Sequence, residues 1–206
     1  MSRAVVGRPR ARERVDDGRS PREQILDAAA ELFASRGFAA TSTRDIAERA
    51  GIRQASLYYH VAGKPQLLLE LLDASVRPTL DGLDELLAGE DPVIALHALA
   101  VRDVRTLLEA PHNLAVLYLT PELDGPEFAG IREARERLRA AYVQLAARIG
   151  GVEDAEFRGS ACLQLVEMAI ELRQRDAVPD GAGCRIAEAC LRVAGASASD
   201  IDRVAG

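Results

Sequence analysis

The chain has 206 residues, of which 48% are hydrophobic and 28% charged, and it carries a formal net charge of −6. This length fits one domain, or a small domain followed by a larger one, and the apolar content is enough for a packed core. No run of 18 apolar residues occurs and no signal-peptide core begins the chain, which argues against a membrane protein and predicts a cytoplasmic one.

Residues 1–19 are rich in arginine and carry almost nothing apolar to bury, so we expect a disordered arm. The run G-R-P-R at residues 7–10 is similar to the short core by which AT-hooks enter a narrow minor groove. Arg8 and Arg10 are therefore candidates for contact with the minor groove. A plain solubilising tail is the alternative.

The first helix is predicted to start after Ser20, with Pro21 at its first position and Glu23 closing a capping box. It ends at Gly37. One stripe of apolar residues at helical spacing would be buried: Ile25, Ala29, Leu32 and Phe33.

Two further helices follow, separated by a glycine turn at Gly51. Ser42, with Asp45 three residues later, caps the first of them, and Ile52 and Leu57 give the second its apolar side. The second helix, of about seven residues, has many hydrogen-bonding groups and few core anchors, which is typical of a helix that reads the major groove. Its polar side chains are Arg53, Gln54, Ser56, Tyr58 and Tyr59. The arrangement is the outline of a helix-turn-helix.

Charge is distributed unevenly along the chain. Residues 1–64 contain 12 basic and 8 acidic side chains, whereas residues 65–206 contain 14 basic and 24 acidic ones. This asymmetry predicts a boundary near Lys64, with the nucleic-acid face confined to the N-terminal third.

The same region resembles the TetR family of bacterial transcriptional repressors. Gly37-Phe38 matches the Gly-Phe turn of that family, and residues 57–64, L-Y-Y-H-V-A-G-K, match its signature L-Y-x-H-(F/V)-x-x-K. The motif covers about residues 21–72. Gly63 stands where the family often has Ser, and Val61 where Phe is common.

The motif and the resemblance together give a set of candidate DNA contacts. The helix that Ser42 caps has free N–H groups at its start, which place Ser42 and Thr43 near a phosphate, although Ser42 could serve as a cap only. The resemblance assigns a guanine edge to Arg44 and phosphates to His60 and Lys64, the only lysine in the chain; His60 could instead merely cap its helix. The full set is Ser42, Thr43, Arg44, Arg53, Gln54, Ala55, Ser56, Tyr58, Tyr59, His60 and Lys64.

From Pro65 onward the sequence has no phosphate-binding glycine loop, no catalytic motif and no strand-like alternation, so the body is predicted to be helical. The expected architecture is all-α, with a DNA-binding domain over residues 20–64 and an effector-binding and dimerisation domain over residues 65–206. Proline and glycine positions, Pro78 among them, delimit the candidate helices. These helices are 65–76, 79–88, 92–109, 113–119, 127–149, 154–175 and 182–194.

The helix over 154–175 is apolar around most of its circumference, so it must be covered on two sides. The resemblance implies that this helix and the last one pair with their copies in a homodimer; an internal buried helix of a monomer is the alternative. The predicted interface residues are Cys162, Leu165, Val166, Ala169, Ile186, Cys190 and Val193.

Effector contacts are harder to assign from the sequence. His97 and Tyr142 lie on apolar stripes, where each is either an ordinary core residue or a polar group of a ligand pocket. The candidates are His97, Tyr118, Tyr142 and Met168. The body has few aromatic residues, which disfavours an aromatic cage for a quaternary ammonium compound.

No cofactor, metal or catalytic residue is expected. The three cysteines, Cys162, Cys184 and Cys190, show no metal-ligand spacing and fit small buried residues. We expect a homodimeric repressor that binds a palindromic operator in double-stranded DNA and is released by an unidentified small-molecule effector. The alternatives are a small helical enzyme or carrier that uses the basic head only for nonspecific DNA attachment, and an architectural DNA protein without an effector.

Overall fold

The computed structural model describes the backbone of residues 19–110 and 121–205. Within these ranges the chain forms helices and no strand, which confirms the predicted all-α fold. The helices are α1 (Pro21–Arg36), α2 (Thr43–Arg49), α3 (Gln54–Leu57), α4 (Lys64–Leu80), α5 (Leu83–Ala88), α6 (Pro92–Glu109), α7 (Ala129–Gly150), α8 (Ala155–Gln174), α9 (Ala182–Ala194) and α10 (Ala198–Ala205). Two 3₁₀ turns, Pro121–Asp124 and Pro126–Phe128, precede α7.

Several sequence predictions lie outside the described residues: the helix over 113–119, Tyr118, and the arm with Arg8 and Arg10. None of the helices in the described ranges is long and apolar enough to cross a membrane.

The N-terminal helices enclose one hydrophobic core, which we call the head core. Its buried residues come from α1 to α4 and from the segment that leads into α7. The largest of them are Ile25, Phe33, Ile46, Leu57, Leu67, Leu68, Leu72, Phe128 and Ile131. A boundary after Lys64 would cut through this core, because residues 67–72 of α4 belong to it.

The second core, which we call the body core, lies among α6, α7, α8 and α9, with α4, α5 and α10 packed around it. Helices α7 and α8 approach closely, since a Cβ atom on Gly159 would collide with the backbone of Val143. Gly159 therefore faces a helix of the same chain. Close packing of this kind leaves little freedom for the two helices to slide.

Helix α4 continues through Pro78, so the predicted break at this proline is wrong. Pro78 removes one backbone hydrogen bond, but tertiary contacts hold the last turn in place. The Ser75 hydroxyl donates to the Leu72 carbonyl at 2.8 Å, and Thr79 is fully buried against α6. The prediction also missed α10, where Ile201 packs into the body core and Arg203 forms an ion pair with Asp91.

Most of the predicted dimer residues face the inside of their own chain. Five of them are at most 4% exposed, and their packing partners lie on the other helices of the body core: Cys162, Val166, Ala169, Ile186 and Cys190. Their assignment to a dimer surface is wrong, because a side chain without exposed area cannot contact a second chain. Leu165 and Val193 remain partly exposed.

The head core depends on a residue far along the chain, which gives a stability test. We expect Phe128→Ala to lower the free energy of unfolding by about 3–5 kcal/mol, because the substitution leaves a cavity in the head core. The control is Tyr59→Ala, whose ring is 88% exposed. This variant should change the free energy of unfolding by about 0.5 kcal/mol or less. Urea denaturation of both variants measures the difference. Equal stability of the two variants would contradict the packing of Phe128 in the head core.

Candidate nucleic-acid interface and buried cleft

The start of α2 is fixed by a reciprocal cap. The Asp45 N–H donates to the Ser42 hydroxyl at 3.1 Å, and the Ser42 N–H donates to the Asp45 carboxylate at 2.9 Å. The hydrogen bonds from Ser42 lower the pKa of Asp45 below its usual value, so the carboxylate stays charged. The capping box predicted from the sequence is therefore present, as is the one at Ser20 and Glu23 in α1.

Helix α3 is short and exposes nearly all of its polar side chains. Leu57 is its buried anchor, while Tyr58 and Tyr59 are 53% and 88% exposed. The regular helix ends at Leu57, earlier than the seven residues predicted, and residues 58–60 continue as a turn. Arg53, Gln54, Ala55 and His60 are also exposed, and Ser56 is half-buried.

Three polar side chains tie α3 to the beginning of α2. The Gln54 side-chain amide donates to the Thr43 hydroxyl at 3.2 Å, and the same hydroxyl lies 3.1 Å from the Tyr58 hydroxyl. These exposed groups hold one another in place before any ligand is bound. A preformed arrangement reduces the side-chain entropy that is lost when they bind.

Lys64 has a structural role that the sequence did not reveal. Its ammonium donates to the carbonyls of Phe38 (2.6 Å) and Thr41 (2.8 Å) and lies 4.2 Å from the centre of the Phe38 ring. Lys64 thus fastens the loop between α1 and α2. An ammonium has three N–H donors, which leaves one for a phosphate oxygen.

The basic side chains on this surface fall into two groups. Arg49 forms an ion pair with Glu31, and Arg22 with Glu70. Arg44 and Arg53 are exposed and make no ion pair within the described part of the chain. These two guanidinium groups are available for a polyanion.

The three candidate effector residues that the structure describes do not share one pocket. Tyr142 is fully buried, and its hydroxyl donates to Asp103 at 3.1 Å, so it has an internal partner. His97 is half-buried, and its Nε2 atom finds no hydrogen-bond partner among the described residues. Met168 is 42% exposed and lines a groove on the outer face of α8, so its assignment as an effector contact stays a prediction.

A narrow cleft of about 20 Å³ does open inside the body, between α4, α6, α7 and α8. Asp103 forms part of its wall and is 3% exposed. Besides Tyr142, Asp103 accepts a hydrogen bond from the Thr79 hydroxyl at 3.2 Å. Burial raises the pKa of Asp103 to about 7, and the bonds from the two hydroxyls lower it by less.

Asp103 was not among the residues predicted from the sequence, although a signal existed. Asp103 follows Leu99 by four residues and precedes Leu107 by four, so it lies on the apolar stripe of its helix. A single carboxylate on such a stripe predicts a buried acid. Among the residues that the structure describes, no group of three His, Cys, Asp or Glu side chains could hold a metal ion.

Comparison with known proteins identifies the relatives of the chain. Residues 25–71 match the family described as bacterial regulatory proteins, tetR family. The HTH-type transcriptional repressor KstR2 of Mycobacterium tuberculosis H37Rv is 32% identical over 155 residues, which are 71% of this chain and 74% of that protein. The crystal structure of Mycobacterium smegmatis AmtR is 39% identical with a TM-score of 0.82, and the match covers 93% of this chain and 95% of that one.

A third neighbour is the crystal structure of AibR in complex with isovaleryl coenzyme A and operator DNA. It covers 86% of this chain and 98% of its own, with 20% identity and a TM-score of 0.64. At this identity the similarity is one of fold.

The raised pKa of Asp103 predicts a pH dependence of stability. The folded-state pKa of about 7 lies above the ordinary value of 3.8, so between these values only the folded chain binds the proton. The free energy of unfolding should therefore fall as pH rises from about 4 to about 7, and Asp103→Asn should remove this part of the slope.

Urea denaturation at about pH 5 and about pH 8 measures this effect. Asp84→Asn is the control, since that side chain is 81% exposed. Parallel pH profiles for wild type and Asp103→Asn would contradict a raised pKa at Asp103.

Proposed function

Because the chain belongs to the TetR family of bacterial transcriptional regulators, we propose that it is a repressor that binds a palindromic operator as a homodimer and leaves it when a small molecule binds the body. The observation that carries the proposal is the surface of α3 and of the start of α2. Arg44, Arg53 and Gln54 are exposed there, and Gln54 is held in place by its hydrogen bond to the Thr43 hydroxyl. The relatives named as transcriptional repressors favour a regulator over a small helical enzyme or carrier.

We assign the reading of bases to three side chains and the positioning of the head to the others. Arg44 and Arg53 can donate in pairs to guanine, and Gln54 suits adenine. Ser42, Thr43, Tyr58, His60 and Lys64 would contact phosphates, with Ala55, Ser56 and Tyr59 completing the face. The DNA-binding unit extends from residue 20 into the first half of α4, since residues 67–72 belong to the head core.

An apolar groove on the outside of α8 and α9 supports the homodimer. It has a volume of about 500 Å³, and Leu165, Met168 and Val193 are among its lining residues. Phe157, which also lines it, is 75% exposed. A second copy that seats its own α8 and α9 on this groove would cover these side chains and place two heads on successive half-sites.

Release requires a ligand to change the position of the heads. Emptying an operator from nearly full to nearly free takes about 5.5 kcal/mol of differential binding. Helix α4 offers the route, because its first half packs in the head core and its second half lines the cleft of the body. AibR, a protein of the same fold, has been crystallised with both isovaleryl coenzyme A and operator DNA.

Selection of bound sequences from random double-stranded DNA tests the function. We expect the wild-type chain to enrich an inverted repeat. Arg44→Ala and Gln54→Ala should each cost about 1–3 kcal/mol on that site and relax one base position. Lys64→Ala should weaken binding to all sequences, because it removes a phosphate contact and releases the loop between α1 and α2. It should also reduce the slope of log K against log salt concentration by about 0.9. Enrichment of no sequence, or a changed base preference in Lys64→Ala alone, would contradict these roles.

The dimer is tested by two substitutions at adjacent positions of α8. Leu165 lines the groove, so Leu165→Glu should give a folded, helical monomer with greatly weakened operator binding. Val166 is fully buried in the body core, so Val166→Glu should instead lower the melting temperature sharply. Light scattering and circular dichroism distinguish the two effects. A monomeric wild type, or a dimeric Leu165→Glu variant, would contradict the proposed interface.

A further inference from the structure

The cleft inside the body is lined by apolar side chains around a few charged ones. Val76 of α4, Leu107 of α6 and Leu138 of α7 supply part of the apolar wall. The charged residues are Asp103 and the pair formed by Arg135 and Glu167. An apolar pocket with a few converging polar groups is the usual form of a small-molecule site.

The charges in the cleft are not balanced when Asp103 is ionised. The Arg135 guanidinium lies 2.5 Å from the Glu167 carboxylate and is engaged with it. Asp103 accepts hydrogen bonds from Tyr142 and Thr79, both neutral hydroxyls, and within the described residues it forms no ion pair. Among the described residues that line the cleft, two carboxylates therefore share one guanidinium, and its ion pair is with Glu167 rather than with the more deeply buried Asp103.

We propose that this cleft is the effector site, and that its ligand is a small aliphatic compound with a protonated primary or secondary amine. The amine would donate its N–H groups to the Asp103 carboxylate and supply the missing positive charge, while the aliphatic part lies against the apolar wall. This inference rests on the proposed function for its regulatory meaning, but the binding itself does not depend on DNA.

The wall of the cleft favours an amine that keeps its N–H groups. None of the residues that line it is aromatic, so it offers no ring faces to a quaternary ammonium group. A quaternary group also has no hydrogen to donate to a carboxylate that accepts hydrogen bonds. The cleft should therefore discriminate between a primary amine and its trimethylated analogue.

Occupation of the cleft would move α4. In this form the cleft has room for a group about the size of a water molecule, so a larger ligand must separate its walls. Ser75 and Val76 of α4 belong to one of these walls. The other half of α4, residues 67–72, is packed in the head core, so displacement of α4 would carry the head with it.

Calorimetric titration of the full chain, without DNA, tests the ligand class. The probes are cyclohexylamine, cyclohexyltrimethylammonium and cyclohexanecarboxylate at up to millimolar concentration. We expect cyclohexylamine to bind the wild type and the other two to bind at least about tenfold more weakly. Asp103→Asn should reduce the affinity for cyclohexylamine at least about tenfold, and Asp84→Asn, at an exposed position, should leave it unchanged.

A proton measurement keeps the test decisive if Asp103→Asn folds poorly. The ionisable groups around Asp103 are Tyr142 and Arg135 on α7, Glu167 on α8 and Cys190 on α9. Because the pKa of Asp103 is raised to about 7, a cation that binds there at about pH 6 must expel its proton. Titrations in two buffers of different ionisation enthalpy should show proton release for wild type and Asp84→Asn.

Three results would overturn the proposal: no binding of cyclohexylamine, equal affinity in wild type and Asp103→Asn, or tighter binding of cyclohexanecarboxylate, which would indicate an anion site at Arg135. Failure of the proposed function has a different signature. In that case cyclohexylamine binds through Asp103 with proton release, but the protein selects no DNA sequence.

Discussion

Helix α4 contributes residues to both hydrophobic cores, and this constrains how the chain can respond to a ligand. Leu67, Leu68 and Leu72 are buried in the head core, whereas Leu80 packs against the body core. Both cores are closely packed, so neither end of the helix can shift without its neighbours. A displacement that starts at the cleft would therefore be passed on to the proposed DNA-binding surface as movement of a rigid element.

The head is rigid for a second reason, which concerns its polar groups. Lys64 joins the start of α4 to the loop between α1 and α2, and Thr43 joins the start of α2 to α3 through Gln54 and Tyr58. These bonds fix the relative position of the helices that face DNA. In the body, by contrast, Asp103 is buried at the cost of its hydration, and among the described residues the hydroxyls of Tyr142 and Thr79 donate to it, an arrangement typical of binding sites.

The sequence was sufficient to predict those features that depend on interactions between residues close together in the chain. The capping boxes at Ser20 and Ser42 involve residues three positions apart, and the turn at Gly51 needs only a residue that tolerates a positive φ. Leu57, the anchor of α3, was identified by helical spacing alone. For this reason the sequence predicted the helix-turn-helix, its exposed polar side chains and the helical body.

Tertiary packing decided what depends on residues far apart in sequence. Thr79 and Tyr142 lie 24 and 39 positions from Asp103, so no local pattern shows that all three meet. An apolar helix can bury its sides against its own chain or against a second chain, and helical periodicity cannot distinguish these cases. In α8, for example, Val166 faces the body core, while the adjacent Leu165 lines the outer groove. Apart from α10 and the passage of α4 through Pro78, the sequence determined which elements form, because capping and helical periodicity are local. Only the fold determined which faces meet, because that depends on which distant surfaces exclude water together.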